Sequence, residues 1–293
     1  LPALGWGGGA NHAAEAGIRF RYDTLEQCCE MRPEVSPVEN FESSMIAFIY
    51  GNLDRHVNGS GGFSNGLFEA ASSLLGYGCR HSSNQCQPSC GWSVIECCPE
   101  ELGERPQGFI ASFSARPASS DGCGRLITPF LQSSQWAIET AGQLEISAIQ
   151  VLGSIADGTV LSELRGELEI QSTVLDWRDD DSSHHVKIAV NCGEVDSFAV
   201  TASKILQDSI GRLSRVLRHS GAVEISEPPA WRYDASPSYW PSPQRMDAAV
   251  SGITSEWSMQ GIGWIVQNIL VAAKGSGFDY PLFVTVERLD GYR

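Results

Sequence analysis

The chain has 293 residues, and its 35 acidic against 20 basic side chains give a net charge of −15. That balance argues against general nucleic-acid binding by the ordered surface and against docking on anionic membranes. At 42% hydrophobic and 19% charged, the chain has material for one large β domain or two ordinary ones. No apolar run approaches the roughly 20 residues of a membrane span. The first residues show no basic region ahead of an apolar core, so no signal peptide is expected. The chain starts at Leu1, so a processed polypeptide or a fragment is expected.

From the N-terminus the pattern is β-rich. Residues 1–17 are rich in glycine and alanine and read as loop. Ile18-Arg19-Phe20-Arg21-Tyr22 alternates as a strand with arginines on one face, and Pro33 and Pro37 break the next segment. Met45–Tyr50 is a short continuous apolar run, as expected of a strand covered on both faces, and it runs out into Asp54. Ser64 reads as an N-cap, and Leu67, Phe68, Ala71, Leu74 and Leu75 recur at helical spacing before Gly76. Further strands are expected at Trp92–Cys97, Gly108–Ala115 and Gln135–Thr140. Two more strands alternate clearly, Gln143–Ala148 and Gly166–Leu175, with a small polar loop at Gly153–Gly158 between them. Asp176, Asp179, Asp180 and Asp181 then bring four carboxylates into six residues.

After this cluster the texture is mixed. Val186–Val190 reads as a strand, and Ser203–His219 as a helix with Ile205, Leu206, Ile210, Leu213, Val216 and Leu217 on one stripe. Residues 227–243 are a proline- and aromatic-rich connector. Ile262–Lys274 reads as a second helix and Leu282–Val286 as a closing strand. No internal repeat is visible. The resulting division is a β domain over residues 1–181 and an α+β extension over residues 182–293.

Three segments taken in order resemble a known family. They are Ile18–Tyr22 with Arg32-Pro33 and Ser44–Tyr50; the helix Asn65–Gly76 with Gly91-Trp92-Ser93-Val94-Ile95; and Ala141–Ile146 with Arg165–Ile170 and Val174-Leu175. Together they span residues 18–176 and resemble the shell domain of small icosahedral RNA-virus capsid proteins, the tombusvirus, sobemovirus and nodavirus kind. The resemblance implies an antiparallel, eight-stranded jelly-roll β-sandwich, here with its first strands outside the sequence, and a structural, non-enzymatic role. Sister subunits would assemble into an icosahedral shell in the host cytoplasm, enclosing an RNA genome held mainly by an arm not present in this sequence. The family's basic arm is absent, the cysteine-rich segment Tyr77–Cys90 is foreign to the pattern, and the helices after residue 182 do not match an all-β projecting domain.

The resemblance also implies calcium between subunits, where carboxylates from neighbouring copies meet and a hard cation relieves their repulsion. Asp54, Asp176, Asp179, Asp180 and Asp181 are its candidate ligands here, against the plainer reading of a solvated acidic loop. Lys204, Arg212, Arg215 and Arg218 form a basic island that could face RNA phosphates. A basic face opposite an apolar stripe is equally what any surface helix has.

Other chemistry is weaker. Cys79, Cys86, Cys90 and Cys97, with His81, are zinc-ligand types whose spacing does not repeat a paired hook, so reduced thiols are the plainer reading. His184-His185 beside the aspartates reads as exposed loop. Gly62-Phe63-Ser64-Asn65-Gly66 matches a nucleophile elbow, with Asp176 and His219 as conceivable partners, but a polar loop precedes it where a buried strand is required. A lectin-like binding module, with Trp231, Tyr233, Tyr239 and Trp240 stacking on sugars, is the remaining alternative.

Overall fold

A computed structural model describes residues 45–55, 92–98, 108–117, 127–153, 183–192, 198–214, 217–227, 247–278 and 281–289. All of them belong to one compact unit, Pro37–Arg293. The strands are β1 (Met45–Arg55), β2 (Trp92–Cys98), β3 (Phe109–Pro117), β4 (Gly142–Gly153), β5 (His184–Asn191), β6 (Leu217–Ser226), β7 (Asp247–Thr254) and β8 (Leu282–Arg288). The helices are α1 (Ile127–Glu139), α2 (Phe198–Leu213) and α3 (Met259–Gly275).

The eight strands form one sheet in the order β2-β3-β1-β4-β8-β5-β7-β6, antiparallel at every joint. A mainly β, antiparallel, eight-stranded fold was expected, and that much holds. A jelly roll divides its strands between two facing sheets. The described strands share one open sheet, with three helices on one face.

The strand order also reveals a doubling. The first half, β1, β2, β3, α1 and β4, is arranged β2-β3-β1-β4 in space; the second, β5 to β8 with α2 and α3, is arranged β6-β7-β5-β8. Each strand of one half has its counterpart in the other, and the second half is a split βαβ unit. The halves meet edge to edge where β4 pairs β8, from Ala148 opposite Glu287 to Gly153 opposite Leu282. The expected boundary at 181/182 therefore falls between two halves of one continuous sheet. In the first half, the chain position equivalent to α2 contains the expected helix Asn65–Gly76, outside the described residues.

One face of the sheet packs on the helices. Met45, Ala47 and Ile49 of β1, Val151 of β4, Val284 and Val286 of β8, and Val186, Ile188 and Val190 of β5 join buried residues of all three helices in the main core. Helix α3 contacts both α1 and α2 and is buried almost all round, from Ile262 to Ala273, as a central core helix must be. The other face has a second apolar cluster of Ile46, Phe48, Tyr50, Ala148, Leu152 and Phe283. Met45–Tyr50 is buried on both faces, as its continuous apolar run predicted.

A bulge keeps this arrangement in phase. Tyr50 lies opposite Ala148 but Gly51 opposite Ile146, so Ser147 is the extra residue. Ile146 thereby joins the same core as Ile149 and Val151. Gly51 is required there: a Cβ would sit 2.0 Å from the Glu145 carbonyl oxygen. Its N–H donates to the Gly108 carbonyl at 2.8 Å.

Two elements depart from expectation. Gln135–Thr140, expected as a strand, is the end of α1 and its turn. Along the whole helix, Ile127, Phe130, Leu131, Ser134, Ala137 and Ile138 are buried at helical spacing, a stripe longer than the alternation read in Gln135–Thr140. The helix expected over Ser203–His219 is α2, ending at Leu213, followed by β6 from Leu217. Leu213 and Leu217 both enter the main core, one from a helix end and one from a strand, and their four-residue spacing imitates a continuing stripe. The expected strands Ile18–Tyr22 and Gly166–Leu175 lie outside the described residues.

Candidate functional site: a buried polar strip on the sheet

Few of the expected site residues lie among the described ones. Asp54 is exposed on β1, opposite Gln143; Asp176, Asp179, Asp180 and Asp181 lie outside the described residues. Among the described residues no group of three His, Cys, Asp or Glu side chains could hold a metal ion. Lys204 and Arg212 are exposed on α2, Arg215 lies outside the described residues, and Arg218 sits on β6 opposite Ile253. The basic island is thus divided between a helix and an edge strand, because the helix stops at Leu213. His184 and His185 belong to β5 rather than to a loop, with His184 opposite Thr254 and its ring 6.5 Å from that of Trp257. Ser64, the zinc candidates Cys79, Cys86 and Cys90, and the aromatic connector lie outside the described residues; Cys97 is in β2. No described helix is long and apolar enough to cross a membrane.

Polar residues are instead brought together on the face opposite the helices. Tyr50, Gln150, Thr285, Asn191, Asp247 and Ser226 stand one on each of six neighbouring strands, β1, β4, β8, β5, β7 and β6. Gln150 lies opposite Phe48 on one side and Thr285 on the other. Thr285 lies opposite Ala189, and Asn191 is two residues along that strand, within reach of a diagonal contact. Asp247 is opposite Ser226. Gln150 is 0% exposed, Tyr50 1%, Asn191 1%, Asp247 2% and Thr285 3%.

Such groups are stable in an interior only when hydrogen-bonded, and here the pairing is incomplete. The Tyr50 hydroxyl donates to Gln150 Oε1 at 2.6 Å, and Asn191 Nδ2 donates to Asp247 Oδ1 at 3.0 Å. Gln150 Nε2, Thr285 Oγ1 and Ser226 Oγ are buried with no partner. Two of these three face each other at the joint between the halves. Aromatic rings flank that point. Phe48 and Phe283 stack with centroids 6.2 Å apart, and Tyr50 meets Phe109 edge-on at 5.8 Å.

Sequence reasoning missed this site. Gln150 and Thr285 are isolated polar residues inside apolar strands, and a signal existed only in their position: each is the buried-phase residue of a run otherwise filled with Ile, Val, Leu and Phe.

Two further features are structural. Cys192 is a buried free thiol whose pKa burial pushes up to about 12, which makes it an inert side chain rather than a nucleophile. Glu256, 4% exposed, accepts a short hydrogen bond from the Ser258 hydroxyl, and Ser258 in turn accepts from the Gly261 N–H at 3.1 Å, capping α3.

No protein-family model matches this chain. Comparison with curated proteins and with solved structures likewise found no significant match.

Proposed function

We propose that the chain is a non-enzymatic binding protein whose ligand is held on the sheet face opposite the helices. The observation that carries this reading is the buried polar strip with Gln150 Nε2 and Thr285 Oγ1 unpartnered and side by side. A buried polar group without a partner costs about 1–3 kcal/mol, and apolar residues at these two positions would avoid that cost. A ligand that completes the hydrogen bonds gives the arrangement its purpose. The test is a ligand-observed NMR screen of small polar fragments against the wild type and a Gln150→Leu/Thr285→Val variant, with Lys204→Ala as the surface control. Fragments that bind the wild type and the control but not the double variant support the reading. An empty screen, or fragments indifferent to the double variant, refutes it.

The second reading is the capsid subunit. The resemblance over residues 18–176 favours it, and it carries with it jelly-roll strand order, calcium-bridged aspartates and assembly with sister subunits. Single-sheet order among the described residues weighs against that fold, and both outer strands, β2 and β6, are irregular in register, a device that discourages edge-to-edge pairing. Light scattering with and without a calcium chelator decides it: megadalton particles that swell or dissociate on chelation would restore the shell, and a small fixed species would remove it.

A further inference from the structure

We infer that the group bound between Gln150 and Thr285 is a neutral acceptor oxygen, a carbonyl or its like, on a small and mostly apolar molecule. This inference rests on the binding reading above and names its chemistry. The Tyr50 hydroxyl donates to Gln150 Oε1, which fixes the amide with its oxygen toward β1 and leaves both Nε2 hydrogens to give. Thr285, opposite on β8, adds a hydroxyl. The pair therefore offers up to three donor hydrogens and one acceptor, which suits an oxygen with two lone pairs.

Charge decides against a carboxylate or phosphate. The next row along this face places Glu287 opposite Lys187, so among the described residues of this face the nearest basic side chain already lies across from an acidic one. Further along, on the other side, lies the buried carboxylate of Asp247. Among the described residues, an anion enclosed here would meet the neutral donors of Gln150 and Thr285 and no unopposed cation to offset its desolvation. The described side chains around the pair, Phe48, Phe283, Ala148 and Ala189, are apolar, so a mostly hydrocarbon ligand would meet no further polar group among them. The competing occupant is one ordered water, which also needs only two to four polar partners.

The experiment is thermal unfolding of the full chain with three probes of like size: cyclohexanone, cyclohexanecarboxylate and methylcyclohexane. The same titrations are run on Thr285→Val, a change of nearly equal volume, and on Gln150→Leu. Cyclohexanone is expected to raise the Tm of the wild type by a few degrees in a dose-dependent way, as any ligand of the native state does. That rise should be lost in Thr285→Val, with little effect from the other two probes. A shift by the carboxylate that Thr285→Val abolishes would overturn the neutral chemistry while leaving the binding face standing. Equal shifts by methylcyclohexane would overturn the role of the donors. No shift from any probe would mean the strip holds water only, and would sink both readings together.

Discussion

Gly263 and Gly211 make opposite predictions under the same substitution, and the contrast tests how the helix layer is packed. A Cβ on Gly263 of α3 would lie 2.7 Å from the Thr128 Cα and 2.9 Å from its Oγ1. Carbon atoms pack best at about 3.5–4.0 Å, so α1 must move away by about 1 Å, and the nearest obstacle is backbone that no rotamer can relieve. Overpacking of this kind costs about 1–3 kcal/mol, against a helix-propensity gain of about 1 kcal/mol for replacing glycine by alanine. Gly263→Ala should therefore lose up to about 2 kcal/mol, a fall in Tm of up to roughly 8 °C for a unit of this size. Gly211 of α2 is exposed and a Cβ there would meet nothing within 4 Å. Gly211→Ala should gain about 0.5–1 kcal/mol. Urea unfolding with unchanged m-values, checked by calorimetry, measures both. If Gly263→Ala proves as stable as Gly211→Ala, α1 and α3 do not approach as closely as described.

Three further outcomes are expected. Gly51→Ala should cost at least about 3 kcal/mol or prevent folding, since the new methyl would collide with the Glu145 carbonyl, backbone of the paired strand that no rotamer can move aside; circular dichroism and yield of soluble protein report it, and a wild-type Tm would rule out the bulge. Thr285→Val, with no ligand present, should leave stability unchanged or raise it by about 1 kcal/mol, because it removes a hydroxyl that has no partner. A loss of that size would reveal a partner already in place. Cys192, with its thiol pKa raised from 9.0 to about 12, should escape alkylation at pH 8 until denaturant is added, as peptide mapping would show. Because the folded-state pKa is the higher one, the associated stability is fully present below pH 9 and is lost as pH climbs toward 12, with a slope of at most about 1.4 kcal/mol per pH unit.

The elements legible in the sequence were those whose burial is written locally. Met45–Tyr50 is a continuous apolar run and Leu282–Val286 an apolar run broken only by Thr285, and both became strands buried on both faces; Ile262–Lys274 was legible as a helix. Edges were harder. β6 has a positive-φ Gly221, a register shift and mostly exposed side chains, so it lacks the alternation by which a strand is recognised. β7, Asp-Ala-Ala-Val-Ser-Gly-Ile-Thr, is built of small residues and carries a weak signal for the same reason. The doubling escaped notice because like positions are filled by unlike residues: Phe48 lies opposite Gln150 in one half, while Ala189 lies opposite Thr285 in the other. The likeness of the halves lies in strand order and pairing, not in side-chain identity. Single polar residues such as Gln150 and Thr285 stood out within their runs, but their grouping into a strip required strand order, since its six residues come from six separate strands.

What completes the hydrogen bonds of Gln150 Nε2 and Thr285 Oγ1 decides the ligand chemistry most directly. A crystal structure of the full chain soaked with cyclohexanone would show it. Density for the ketone, with its oxygen about 2.7–3.2 Å from both Gln150 Nε2 and Thr285 Oγ1, is the predicted result. A single water there, or a Gln150 amide turned to bond Thr285 directly with nothing between them, would contradict it.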